Sequence, residues 1–302
     1  MLNRATALLN FADADAQFQR RNCSISPAEA LNFNAVCNIS RGIAQILGID
    51  MAENFRRPYF SKSINEYWRR WHITLGAWMK EYIFYPLSLS SVFLTTSKKM
   101  KATKFGATKA GAHIAKVLPT AFASLIVFLI VGVWHGASWK YVAFGLWNGG
   151  VIMLSILMKP LFDGALQKLH INPNNFFWRL FQMLRTFVIV CIGYVFDIAP
   201  SFRQSISSIK KILLNQSVSN GLIEINSLGL DKWGFALVGV GFVVLLIASV
   251  LQEKIKKSLR EQLDNNYYWV RYCVILIGII VVLTFGIYGP GYNAADFVYA
   301  QF

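Results

Sequence analysis

The sequence predicts an all-α, polytopic integral membrane protein, with one further helix that lies at the membrane interface or re-enters the membrane. Of the 302 residues, 55% are hydrophobic and 15% aromatic, and the mean hydropathy is +0.43. This composition is unusual for a soluble domain. The apolar residues are also clustered into runs that approach the roughly 20 residues a helix needs to cross a bilayer.

Five runs are predicted to span the membrane, and the third is short, with Arg185 near its start. Residues 1–50 contain no membrane-length apolar run, so we treat them as an atypical N-terminal segment and residues 51–302 as the membrane domain. The predicted spans are approximately Thr120–Val133, Trp134–Leu157, Phe187–Ala199, Gly234–Leu251 and Tyr272–Tyr288.

The formal charge of +15 is better explained by the membrane than by nucleic acid. Six lysines and no acidic residue lie between Ser97 and Lys116, and QEKIKKSLREQ follows the fourth predicted span. Basic loops beside membrane helices follow the positive-inside rule, with anionic lipid as a secondary partner. We therefore expect both loops on the cytoplasmic side, Phe302 outside, and no nucleic-acid partner.

The stretch Glu66–Pro86, EYWRRWHITLGAWMKEYIFYP, predicts an amphipathic helix too polar to span the membrane. Ser63 followed by Glu66 has the form of a capping box, so the helix is expected to start at Ile64 and to end at Pro86. At helical spacing, six side chains form one aromatic stripe with His72 at its border: Trp68, Trp71, Leu75, Trp78, Tyr82 and Tyr85. An interfacial aromatic belt with a packed histidine explains this segment as well as an active site does.

His135 follows an uninterrupted apolar run from Ala121 to Val133. Ionisable residues at such depth are costly, so they tend to face a protein interior or a cavity and to be functional. A lone histidine on an apolar helix is nevertheless more often a packed core residue. No carboxylate or thiolate lies at ligand spacing from His72 or His135 in the sequence, which disfavours a metal site, and His113 and His170 are assigned to polar connecting segments.

Three stretches together resemble the membrane-bound O-acyltransferases: ENFRRPYFSKSI, EYWRRWHITLGAWMKEYIFYPL and GVWHGASWKYVAFGLWNG. The ending FGIYGPGYNAADFVYAQF is similar to the terminus of the bacterial branch that modifies alginate, peptidoglycan and teichoic acid. The resemblance runs from about Gly42 to Phe302. It implies a helical bundle around a funnel or tunnel, of which this chain would form the C-terminal part.

The resemblance also implies residue roles. His135, in VWHG, matches the histidine that promotes acyl transfer to a hydroxyl, and His72, in RRWH, matches a second histidine near the same tunnel. Arg69, Arg70, Trp71 and Trp134 are expected to contact the substrate or an acyl carrier. No bound cofactor or metal is expected, since the acyl group would come from acetyl-coenzyme A or a carrier protein thioester.

The implied function is transfer of an acyl group, acetyl in the first instance, to hydroxyls of an extracytoplasmic polysaccharide or cell-wall polymer, in a bacterial plasma membrane. D-alanyl transfer to teichoic acid is an alternative, and an acyl carrier protein and an exported acyltransferase are the implied partners. Family members begin with further membrane helices before the ENFRRPYF segment. We therefore expect this chain to need helices from another chain, or else to be a truncated, noncatalytic membrane subunit.

A transporter or channel is the least favoured class. It fits the hydrophobicity, but we expect no acidic relay within the predicted spans, and only His135 is clearly intramembrane.

Overall fold

The computed structural model describes residues 27–214, 232–255, 262–263 and 265–285, and the elements in these ranges are helical. The chain divides into two units, residues 1–215 and 216–302, and the candidate site lies in the first. The helices of the first unit are α1 Pro27–Ile46, α2 Ile64–Arg70, α3 Ile73–Met79, α4 Tyr85–Ser88, α5 Ser91–Lys101, α6 Lys109–His135, α7 Trp139–Leu157, α8 Lys159–Lys168, α9 Phe176–Ile198 and α10 Phe202–Leu214. A 3₁₀ turn, Pro58–Phe60, precedes α2, and a π turn, Lys80–Phe84, joins α3 to α4.

Three helices among the described residues are long and apolar enough to cross a membrane: α6, α7 and α9. They correspond to the first three predicted spans, with two corrections. The turn at Gly136 to Ser138 separates the first two spans, so Trp134 and His135 end α6 rather than begin α7. The third span is not short, because α9 starts at Phe176 and carries Arg185 within it, donating to the carbonyl of Lys62 at 2.9 Å.

The second unit contributes α11, Lys232–Ile255, and α12, Tyr268–Phe285, where the fourth and fifth spans are predicted. The basic residues 256–261 and the C-terminal residues 286–302 lie outside the described part of the chain. The lysine-rich stretch after Ser97 is not a loop throughout. Its first lysines end α5 and its last ones begin α6, which also carries His113. That histidine is therefore helical, and its Nε2 lies 3.1 Å from the carbonyl oxygen of Ile156.

The predicted helix over Glu66–Pro86 begins as expected but is broken in the middle. Ser63 accepts a hydrogen bond from the N–H of Glu66 at 3.2 Å, and the Glu66 carboxylate accepts one from the N–H of Lys62. The helix then stops at Trp71, and His72 adopts left-handed backbone angles, φ 46° and ψ 58°. The prediction of a single aromatic stripe is therefore wrong, because the side chains before and after the break belong to different helices.

Backbone pairing with the segment before α2 explains this break. The N–H of Ile73 donates to the carbonyl of Asn54 at 3.0 Å, and the carbonyl of Arg70 accepts from the N–H of Arg56 at 2.9 Å. These bonds replace the ladder that a continuous helix would make. Pro86 does not end the helical segment either, because it lies in the first turn of α4, where a missing N–H is tolerated.

The side chain of Asn54 caps α3 from outside the helix. Its Oδ1 accepts from the N–H of Thr74 at 3.1 Å and from the hydroxyl of Thr74 at 2.6 Å. Asn54 is only 7% exposed, so both bonds are shielded from water. His72 provides no side-chain cap to α3, and Asn54 takes that place.

We expect Asn54→Ala to destabilise the protein by about 1–2 kcal/mol, the usual cost of losing a helix cap. Unfolding of the purified protein in detergent, by heat or by added SDS, measures this difference. Glu53→Ala is the control, because Glu53 forms an exposed ion pair with Arg56 that should contribute less than about 1 kcal/mol. Equal stability of the two variants would contradict the capping role.

The antiparallel pair α6 and α7 packs through glycines. A Cβ added to Gly132 would collide with the carbonyl oxygen of Tyr141, and one added to Gly145 with that of Phe128. At Gly149 an added Cβ would lie 3.0 Å from the Cα of Leu125. Small residues at this spacing let helix backbones approach closely within a bilayer. The approach also fixes the end of α6, where His135 lies.

Candidate active site

His135 is the last residue of α6, and its side chain is 10% exposed. Aromatic rings surround the imidazole: the ring centroids of Trp134 and Phe144 lie 5.3 Å and 5.2 Å away, and that of Tyr141 6.1 Å away. Gly136 follows directly, and an added Cβ there would collide with the ring of Tyr141. The imidazole is therefore held in a mostly apolar pocket at the turn between α6 and α7.

A buried carboxylate lies beside this histidine. Oδ1 of Asp197, the penultimate residue of α9, is 3.5 Å from Nδ1 of His135, and the Asp197 side chain is fully buried. Ligand spacing along the sequence could not reveal this neighbour of His135, because the two residues lie on different helices, α6 and α9. Asp197 also places one acidic residue within the predicted third span, where no acidic relay was expected.

Lys140 approaches the same corner from α7. Its Nζ donates to the backbone carbonyl of Asp197 at 2.9 Å and lies 4.5 Å from the ring centroid of Tyr141. A cation at the C-terminal end of a helix interacts favourably with the helix dipole. The ends of α6, α7 and α9 therefore meet at a cluster of one imidazole, one carboxylate and one ammonium group.

His72 is 6% exposed and packs near Phe55, with 6.2 Å between ring centroids. Its left-handed backbone is uncommon outside glycine, although histidine is one of the residues that tolerate it. Such a conformation is retained only where the surrounding structure fixes it. Here the hydrogen bonds that Asn54 accepts and that Arg56 donates across the break hold it.

Three tyrosine hydroxyls cluster between the 3₁₀ turn, α2 and α9. The hydroxyls of Tyr67 and Tyr194 are 2.7 Å apart, and the ring of Tyr59 lies 6.1 Å from that of Tyr67. Burial raises the pKa of Tyr59 to about 12 and the pKa of Tyr67 well above its usual value. Both hydroxyls therefore stay neutral and serve as hydrogen-bonding groups.

The two histidine motifs are joined by shared packing. Trp68 of α2 has its ring centroid 6.2 Å from that of Phe144, which in turn contacts His135. The indole N–H of Trp68 donates to Oδ1 of Asn148, a residue that is 1% exposed within α7. On the other side, α9 carries Tyr194 against Tyr67 and, one turn later, Asp197 against His135.

The four predicted contact residues have different surroundings. Arg70 forms a partly buried ion pair with Glu66 at 2.6 Å, whereas Arg69 is exposed. Trp71 is 7% exposed and stacks on Tyr67, and Trp134 lies edge-on to His135. Arg69 is thus the most exposed of the four, and the substrate or carrier role stays a prediction for all of them.

Sequence reasoning missed Asp197, Lys140 and Asn148 as members of this site. A signal for Asp197 was present, since an acidic residue near the end of the apolar run FVIVCIGYVFD is costly unless it has a partner. Its partner could not be identified, because the contact joins two helices that are far apart in sequence.

Comparison with known proteins matches the region of the chain that carries both histidines. A model of the membrane-bound O-acyltransferase (MBOAT) family matches residues 30–105 and 115–194, which include both His72 and His135. The family model's match begins at residue 30, earlier than Gly42, where the resemblance read from the sequence begins. Its first part therefore lies within residues 1–50, the segment that was expected to be atypical. The family model's match ends before Asp197.

Several curated proteins are similar to this chain. A teichoic acid D-alanyltransferase of Bacillus subtilis (strain 168) is 30% identical over 53% of the chain, which is 35% of that protein. A peptidoglycan O-acetyltransferase of Helicobacter pylori is 28% identical over 62% of the chain and 30% of its own length. A probable alginate O-acetylase of Pseudomonas syringae pv. tomato is 26% identical over 54% of the chain and 25% of its own length. The matched region thus spans about a third of these relatives or less.

Proposed function

This chain belongs to the membrane-bound O-acyltransferase family, and on that premise we propose that it transfers an acyl group to hydroxyls of a polysaccharide or cell-wall polymer. The observation that carries the proposal is the imidazole of His135, buried at the end of a membrane-length helix and enclosed by aromatic rings. A water-poor pocket suits a reaction in which water would otherwise compete with the acceptor hydroxyl.

In the proposed reaction His135 acts as the general base. Its imidazole takes the proton of the acceptor hydroxyl while the oxygen attacks the carbonyl carbon of an acyl thioester. A C–O bond forms, the C–S bond breaks, and the departing thiolate receives the proton from the imidazolium. An ester and a free thiol are the products, so the histidine is regenerated.

His72 supports this reaction in the proposal. Its fixed, left-handed position suits a group that orients the acceptor or donates a hydrogen bond to the developing oxyanion. Arg69, as the exposed cation of α2, contacts the acyl carrier, and Trp134 lines the pocket beside His135. Arg70 and Trp71 contribute by holding α2 in place, through Glu66 and Tyr67 respectively.

The relatives' names support the choice of acyl groups, and the partners are those that the family resemblance implies. Two of the three relatives above are named as O-acetyl-transferring enzymes and one as a D-alanyltransferase. We propose acetyl transfer first, from acetyl-coenzyme A or a carrier protein thioester, with D-alanyl transfer as the second candidate. The protein would act in a bacterial plasma membrane, with an acyl carrier protein and an exported acyltransferase as partners.

Membranes from cells that express the full chain provide the test. Incubated with polymer acceptor and either labelled acetyl-coenzyme A or a labelled D-alanyl carrier thioester, they should incorporate alkali-labile label into the polymer with one of the two donors. Membranes carrying an empty vector provide the background. Incorporation at the background level with both donors would contradict acyl transfer by this chain alone and favour either a noncatalytic subunit or a chain that needs helices from another chain.

A further inference from the structure

We propose that Asp197 is a positioning residue for His135: its carboxylate accepts a hydrogen bond from the Nδ1–H, so that Nε2 faces the reactants as the base. The inference rests on the proposed function for its catalytic meaning. The contact itself follows from the geometry alone. The range that the family model matches ends at residue 194, so it does not include this aspartate.

The burial of Asp197 is the first observation that supports this role. Its side chain has no exposed surface, and among the described residues neither carboxylate oxygen accepts a hydrogen bond of normal geometry. A carboxylate in such surroundings is costly unless a donor or a positive charge compensates it. Nδ1 of His135, 3.5 Å from Oδ1, is placed to do so.

The surroundings of His135 provide the second observation. Aromatic rings enclose the imidazole, and the carboxylate approaches it from the Nδ1 side. An acceptor on Nδ1 fixes the neutral tautomer that carries its proton there and leaves the lone pair on Nε2. When Nε2 then takes the proton of the acceptor hydroxyl, the imidazolium lies beside a carboxylate. The 3.5 Å between Nδ1 of His135 and Oδ1 of Asp197 is long for a hydrogen bond. Catalytic hydrogen bonds of this kind tighten when the reactants bind.

Lys140 provides the third observation. Its ammonium group donates to the backbone carbonyl of Asp197 at 2.9 Å, which fixes the end of α9 against the start of α7. The residue that carries the carboxylate is thus tied to the helix that follows His135 in the chain. This tie keeps Asp197 in register with the imidazole although the two are distant in sequence.

Nitrogen NMR of the histidines tests the contact without requiring activity. The chain has four histidines, so ¹⁵N-histidine labelling of the purified full chain in detergent gives few signals, and His135→Gln identifies those of His135. Above pH 8 we expect His135 to carry its proton on Nδ1 in the wild type. In Asp197→Asn the Nε2–H tautomer should become populated. An unchanged tautomer in Asp197→Asn, or an Nε2–H tautomer in the wild type, would overturn the inference.

Rates of acyl transfer in membranes test whether the contact between Asp197 and His135 contributes to catalysis. Asp197→Asn should lower kcat/KM at least about 100-fold, as loss of an orienting carboxylate does in other histidine-dependent acyl transfers, whereas Asp197→Glu should recover part of the rate. Thr186→Val is the control, because it removes another buried polar group of α9 whose hydroxyl, among the described residues, donates within that helix to the carbonyl of Gln182. If His135→Ala abolishes transfer but Asp197→Asn retains the full rate, the positioning role is wrong while the proposed function stands. If His135→Ala keeps the wild-type rate, the proposed function itself fails, and the tautomer measurement still decides the contact.

Discussion

His135→Ala is expected to reduce acyl transfer by at least 100-fold while the protein remains folded and inserted in the membrane. A hydroxyl is a poor nucleophile until a base takes its proton, and general bases typically contribute about 10²–10⁴-fold. The imidazole of His135 is buried among aromatic rings, so water is poorly placed to replace it. Initial rates in membranes with matched amounts of protein measure the effect.

His113→Ala is the matched control for this prediction. It changes the same residue type on the same helix, about 33 Å away along the helix axis, and removes the contact of its Nε2 with the carbonyl of Ile156. Its rate should stay within about twofold of the wild type, well inside the range that a general base contributes. His72→Ala should also be severe but should retain some turnover. A wild-type rate in His135→Ala would exclude His135 as the base.

Local signals in the sequence predicted much of the fold. The apolar run before His135 predicted α6, and the Ser63 and Glu66 pair predicted the start of α2. Both helices depend on residues that are close together in the chain, so a local sequence pattern is enough to predict them. The burial of His135 was predicted for the same reason, because the depth of a side chain follows from the length of the apolar run that carries it.

Contacts between distant segments account for what the sequence did not reveal. The periodicity of EYWRRWHITLGAWMKEYIFYP is helical throughout. At the break, however, the N–H of Ile73 and the carbonyl of Arg70 bond to Asn54 and Arg56 instead of to the helix, and this separates α2 from α3. Asp197 is visible as an acidic residue in an apolar run, but its pairing with His135 depends on how α6 and α9 meet. Helical periodicity describes which residues share a face and carries no information about which other segment competes for the backbone hydrogen bonds.

Gly145→Leu is expected to destabilise the protein more than any other single change proposed above. The residue lies where the backbones of α6 and α7 approach each other closely, and even a Cβ would collide with the carbonyl oxygen of Phe128. A flexible side chain could move aside, but a helix backbone cannot, so the two helices must separate along their length. Overpacking typically costs about 1–3 kcal/mol, and a collision with backbone belongs at the upper end of that range or above it.

Gly150→Leu is the matched control on the same helix, because nothing lies within 4 Å of a Cβ added at Gly150. Both variants add the same apolar side chain to α7, so any difference between them reports the contact with α6 rather than membrane insertion. SDS-induced unfolding and size-exclusion profiles in detergent should show loss of folded protein for Gly145→Leu, a smaller loss for Gly145→Ala, and near wild-type behaviour for Gly150→Leu. Transfer activity should fall with the folded fraction or faster, because Phe144, the neighbour of Gly145, packs against the His135 ring. Equal stability of Gly145→Leu and Gly150→Leu would show that α6 and α7 are not held together through this glycine.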